Sequence, residues 1–115
     1  MSIKRGEIYL AALAPVMGRE ISKTRPVVVV SNDTNNEFSG AVTILPITSK
    51  NVSKIFYPFE VFLPQGSGNL TKDSKVKADQ IRTLDKTRLV KQIGKLGQEK
   101  IGEIEKAIEV HLDLS

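Results

Sequence analysis

The stretch SKTRPVVVVSND, Ser22 to Asp33, sets Arg25 against Pro26 and then runs four valines. A guanidinium is among the least readily buried groups, yet this one stands where a polar loop turns into a strongly apolar strand. Its planar fork binds phosphate oxygens in two places and stays charged, and the start of a rigid strand is a good place to fix it. Other common catalytic parts are missing. The one histidine, His111, lies beside the apolar stripe of a terminal helix and reads as a flank residue partly covered by packing. There is no cysteine, the carboxylates stand singly beside lysines, and no phosphate loop or nucleophile elbow occurs. An enzyme with this inventory works with Arg, Thr, Ser, Glu, Asp or Gln, with neither metal nor cofactor.

One reaction class fits. RNA carries its own nucleophile, the 2′-OH, beside the phosphorus it must attack. The protein has only to align that attack and stabilise the added negative charge. Arg25 suits the second task, and a nearby threonine hydroxyl such as Thr48 can donate one more hydrogen bond. Each residue also has a plainer reading. Arg25 can cap a sheet edge or pair with Glu20 at the surface. Thr48 can be an ordinary strand former. Gln80 shares the inward face with Val76 and Ala78 if the alternation of SKVKADQ holds; a buried amide there either ties the core together or faces a ligand. Asn32 and Asp33 can read bases, although turns contain such residues routinely.

These side chains need a scaffold, and the patterning predicts a mainly β one. GEIYLAAL reads as a strand with Ile8, Leu10 and Ala12 on one face. APVMGREISKT is a long loop, of the kind that in small domains is functional or mobile. RPVVVVS suits a central strand covered on both faces, with Pro26 at its first position. NDTNNEFSG is turn chemistry with room for one short helical turn. AVTILPITS is a strand in which Pro46 should mark an edge, bulge or bend. YPFEVFL alternates, with Tyr57, Phe59, Val61 and Leu63 on one face. SKVKADQ alternates too, with Lys75, Lys77 and Asp79 outward. DKTRLVKQIGKL fits helix or strand. The tail sets Ile101, Ile104, Ile108 and Leu112 on one helical stripe, capped at or just before Gly97. Five or six strands and one amphipathic helix make a small barrel or curled sheet with the helix packed on it.

The totals agree. A chain of 115 residues, 40% apolar and 26% charged, suits one folded domain over 1–115. The absence of cysteine fits a reducing compartment, and neither a secretory signal nor a membrane-length apolar run is visible, so a cytoplasmic protein is expected. A net charge of +4 favours a polyanionic partner only weakly.

The residues also resemble a known family. KRGEIYLAALAPVMGREISKTRPVVVVSND is similar to the opening of the MazF/PemK endoribonuclease toxins of bacterial toxin–antitoxin systems, through its RG-[DE]-[IV]-[YW] start, Pro15, Gly18, Glu20, Arg25 and Pro26. PITS around Thr48, YPFEV and ADQIRTLDKTRL continue the likeness in order, over nearly the whole chain. The resemblance implies an SH3-like barrel of antiparallel strands with a C-terminal helix, which makes RLVKQIGKL a strand. It implies a homodimer holding single-stranded RNA near its two-fold axis. It also implies metal-free, sequence-specific cleavage through the 2′-OH, leaving a 2′,3′-cyclic phosphate and a 5′-OH. A cognate antitoxin, acidic and partly disordered, would silence it. The catalytic arginine and threonine fall on Arg25 and Thr48, and Glu20 matches an acidic position that is catalytic in some members. RNA contacts are expected at Arg19, Asn32, Asp33, Ser49, Lys50, Asp79 and Gln80. Deprotonating a guanidinium is very costly, so Arg25 is read as stabilising charge while Glu20 or water takes the proton. One departure stands out: many members carry small residues before the arginine where this chain has ISKT. The alternative in the same fold is a non-catalytic SH3-like binding module, or a toxin that targets gyrase.

Overall fold

The computed structural model describes residues 2–13, 23–53 and 56–114. Among the described residues there are seven strands: β1 (Glu7–Ala12), β2 (Thr24–Val29), β3 (Ala41–Thr48), β4 (Glu60–Leu63), β5 (Ser74–Lys77), β6 (Arg82–Asp85) and β7 (Leu89–Lys95). Two helices join them, α1 (Asp33–Phe38) and α2 (Gln98–Leu112). All pairings are antiparallel, in the order β4-β5-β3-β2-β1-β7, with β6 added on β3. This is the mainly β, α+β architecture expected, with one strand more than the five or six read from the pattern. The extra strand, β6, buries only Leu84, so its pairing with β3 rather than any apolar periodicity defines it.

The valine run explains the middle of the sheet. β2 lies between β1 and β3, with Val27 and Val29 in one apolar cluster and Val28 in another. A strand buried on both faces needs apolar residues at every position, and four successive valines supply them. The first cluster gathers Ile8, Val28, Leu45, Ile47, Val61, Leu63 and Val76 beneath Ile104 and Ala107 of α2. The second holds Tyr9, Ala11, Val27, Val29, Val42, Ile44 and Leu84. β1 therefore feeds both clusters: Tyr9 and Ala11 are buried as fully as Ile8, while Leu10 and Ala12 are half-buried. Simple alternation had placed Leu10 and Ala12 inward.

Pro46 behaves as its missing amide requires. On one edge β3 pairs with β2 through Val27↔Pro46, Val28↔Leu45 and Val29↔Ile44. On the other edge it pairs with β6 up to Ile44↔Arg82 and with β5 only from Ile47↔Val76 onward. The proline stands in the break between these two ladders, where the sheet bends. Pro26 is the third residue of β2, opposite Leu10, rather than the first.

The tail helix matches its stripe. Gly97 is the N-cap, Ile104 is buried, and Ile101 and Ile108 pack beside it. Leu112 is exposed beyond the sheet, although it continues the same periodicity. DTNNEF forms the short helix α1, with the Asn32 side chain accepting a bond from Asn35 N at 2.7 Å.

Candidate functional site

The register of four strands aligns the central residues. Lys75 of β5 is the cross-strand partner of Thr48 on one side and of Phe62 on the other. The ladder between β2 and β3 ends at Val27↔Pro46, and Arg25 and Thr48 each stand two residues beyond that last pair. Directly opposed residues share a face. Thr48, Lys75 and Phe62 thus form one row across β3, β5 and β4, with Arg25 on β2 beyond the end of the β2–β3 ladder.

Arg25 is half-buried and lines a small hollow of about 100 Å³ with Pro26, Ile47, Ser49, Leu70, Thr71, Lys72 and Ser74. Thr48 is 8% exposed and does not line this hollow, although Ile47 and Ser49 on either side of it do. Its Oγ1 accepts a bond from Lys50 N at 3.1 Å, which turns the chain out of β3. Both residues therefore lie past the last β2–β3 pair, Arg25 lining the hollow and Thr48 standing between two residues that line it.

A wider groove of about 670 Å³ adjoins it. Ser49 and Lys72 line both, and Asn51, Val52, Ser53, Phe62 and Asp73 line the groove alone. Lys72, Ser74 and Thr71 were not singled out by sequence. Thr71 and Lys72 belong to the β4–β5 connection and Ser74 opens β5, and the folding of that hairpin against β3 brings them to Arg25; TKDS by itself carries no such signal.

Beside this row, on the same face of β4 and β5, lies a charged group that is more buried than alternation predicts. Lys75 and Lys77 were expected outward, but Lys75 is buried and Lys77 is half-buried. Lys75 Nζ lies 3.3 Å from Glu60 Oε1, and Lys77 Nζ lies 2.7 Å from Glu60 Oε2. Tyr57 N also donates to Glu60 Oε1, at 3.3 Å. Burial alone would raise the Glu60 pKa; the bonds from Lys77, Tyr57 N and Lys75 outweigh it and hold the carboxyl below its ordinary range. Lys75 Nζ further sits 5.3 Å from the centre of the Phe56 ring.

The remaining expected contacts fall elsewhere. Ser49, which lines the hollow, and Lys50, next to it in sequence, are both exposed. Asn32 lines a separate open hollow of about 530 Å³ with Arg5, Ser31, Asn35, Thr43, Ile81 and Ile108. Asp33 is exposed, and its Oδ1 accepts from Arg5 N at 2.7 Å. β2 runs between Arg25 and Asn32, a separation of about 20 Å at roughly 3.3 Å per residue. The alternation that would carry Gln80 inward with Val76 and Ala78 ends at a 3-10 turn over Ala78–Gln80. Gln80 is half-buried there, beside Ile81 of the Asn32 hollow, and Asp79 is exposed with Oδ1 3.9 Å from Lys77 Nζ. Glu20 and Arg19 lie outside the described residues. His111 is exposed on α2, its ring centre 6.4 Å from that of Phe59.

Comparison with known proteins now places this arrangement in a family. The profile of the PemK-like, MazF-like toxins of type II toxin–antitoxin systems matches residues 4–112. The chain belongs to that family. It is 40% identical over 112 residues to the endoribonuclease MazF of Staphylococcus saprophyticus, covering 97% of this chain and 92% of that one. The structure of MazF from Deinococcus radiodurans superposes with a TM-score of 0.83 at 27% identity, over 98% of each chain. An endoribonuclease from a mycobacterial species, solved with its cognate antitoxin, shares the fold with a TM-score of 0.81 at 23% identity, over 98% of this chain and 97% of that one.

Proposed function

We infer that the whole chain acts as one endoribonuclease toxin of a type II toxin–antitoxin system, cutting single-stranded RNA by attack of the substrate's own 2′-OH. Family membership and the 40% identical MazF endoribonuclease support the activity. The observation that supports the site assignment is that Arg25 and Thr48 each stand two residues past the last β2–β3 pair, beside a hollow that Arg25 lines. Arg25 holds the non-bridging oxygens as charge builds on phosphorus, and the Thr48 hydroxyl donates a further bond. Thr48 Oγ1 accepts from Lys50 N, which leaves its own hydrogen for substrate. Glu20 or water takes the 2′ proton; no metal is required. The products are a 2′,3′-cyclic phosphate and a 5′-OH.

RNA lies along the basic rim of Lys50, Lys72 and Ser49. Bases further along reach Asn32, Asp33, Asp79 and Gln80, with Arg19 adding a phosphate contact. Because Arg25 and Asn32 stand at opposite ends of β2, a strand of several nucleotides in a homodimer groove is needed to touch both. A cognate acidic antitoxin covers the same basic groove in the cytoplasm. Among the described residues no helix is long and apolar enough to cross a membrane.

The test is cleavage of a long single-stranded RNA in EDTA. Arg25→Ala should lose roughly 10³-fold or more in rate while its thermal melt stays that of the parent. End mapping should find 2′,3′-cyclic phosphates. An Arg25→Ala protein with full activity refutes the assignment.

A further inference from the structure

Beyond Thr48 the same row ends on an exposed aromatic ring. Phe62 is 38% exposed, lies on the edge strand β4, and lines the groove that opens from the Arg25 hollow. At two strand spacings its backbone stands about 10 Å from that of Thr48. The ring is held in place. Phe56 packs against it edge-to-face, with centroids 5.8 Å apart and planes at 89°. Phe56 is in turn covered by Lys75 Nζ, which the buried Glu60 fixes from below. An edge strand facing water has no need of a large aromatic, and a braced, half-open ring is a surface ready for another flat group.

The neighbours decide what that group is. Lys72 lines both the hollow and the groove, so a phosphate bound there continues the phosphodiester path away from Arg25. The Asp73 carboxylate shares the groove, with one oxygen accepting from Gln65 N, and turns phosphates toward the Lys72 side. A cation beside an aromatic face is how single-stranded nucleic acid is held, the phosphate on the lysine and the base on the ring. We propose that Phe62 is the stacking platform for one base of the RNA, within one or two nucleotides of the scissile phosphate, and that Lys72 binds the phosphate between them. This rests on the nuclease reading above and adds to it a base-binding position on β4, apart from the RNA contacts expected from sequence.

The experiment uses a single-stranded RNA oligonucleotide spanning a mapped cut site, and a set in which each base in turn is made abasic. For the parent enzyme, one abasic position near the cut should raise KM about tenfold. Phe62→Leu keeps apolar bulk without a π face; it should raise KM for the intact RNA by a similar factor and be indifferent to that abasic position. Phe62→Tyr should restore both. A Phe62→Leu enzyme that still discriminates against the same abasic RNA, or a parent indifferent to every abasic position, overturns the proposal. Fluorescence anisotropy with the same RNAs on the Arg25→Ala protein, with and without Phe62→Leu, separates binding from cutting. If no RNA is cut but binding depends on Phe62 and on that base, the nuclease reading fails and the platform stands. If cutting is normal and neither KM nor binding responds to Phe62, the platform alone fails. Weakened capture of the cognate antitoxin by Phe62→Leu, with RNA binding unchanged, also overturns it.

Discussion

Position 48 separates two explanations for one side chain. A threonine at the end of β3 is a good strand former, and valine is at least as good. If Thr48 serves only the strand, Thr48→Val leaves cleavage and stability alone. With the hydroxyl aimed at a phosphoryl oxygen, the same change should lower kcat about 10²-fold while the melt holds, and Thr48→Ser should recover much of it. Steady-state cleavage of a short fluorogenic RNA reads both. Glu60 is a residue whose value lies in its charge. Its folded pKa is depressed, so the stability it contributes is present above its ordinary value of 4.5 and is lost as pH falls through the depressed value. Thermal melts taken downward from about pH 6 should steepen below that point in the parent and be flatter in Glu60→Gln. Arg25 was legible because a cation at the lip of a valine strand is anomalous in sequence alone. Lys75 was not, because a lysine in an alternating strand reads as solvated and its acid lies fifteen positions earlier.

The hairpin of β4 and β5 is the element that makes the groove. It joins the rest of the sheet through Ile47↔Val76 and Thr48↔Lys75 alone, with α2 packed across its apolar face. Its outward face holds Glu60 against two lysines. Removing one member of a buried pair leaves an uncompensated charge, so Glu60→Leu should destabilise by about 3–5 kcal/mol. Joint replacement of Glu60 and Lys75 by apolar residues should be milder, as denaturant titration of both variants would report. A second close fit closes the barrel from the far side. A Cβ on Gly94 of β7 would lie 2.2 Å from the Gly68 carbonyl oxygen, so Gly94→Ala must push β7 off the 67–69 turn and should cost about 1–3 kcal/mol. At this scale the sequence was readable where burial is uniform or periodic, as in β2 and α2. It was silent where pairing alone makes a strand, as in β6, and misleading where a 3-10 turn broke the alternation before Gln80.

Across the molecule, charge and length set the terms of binding. The chain carries +4, and two cations, Arg25 and Lys72, line the hollow. RNA binding should weaken linearly in log–log terms as salt rises, with Lys72→Ala reducing the slope by about one phosphate contact. Antitoxin affinity should fall with salt as well, because an acidic tail competes for the same field. Calorimetry at two ionic strengths checks it; an affinity indifferent to salt contradicts a shared basic groove. Which bases are chosen was not legible, since Asn32 and Gln80 lie 48 positions apart and distant segments assemble the two halves of the site.

Pro46 has one last effect. On that edge of β3 it stands between Ile44, where the β6 ladder stops, and Ile47, where the β5 ladder starts, so neither strand asks it for an amide. Sliding this strand by one residue would turn every side chain over and carry the missing donor out of that gap into a ladder that needs it. A ring with no N–H thus acts as a detent: it lets the strand seat in one place, and the spacing of guanidinium and hydroxyl follows from that seating.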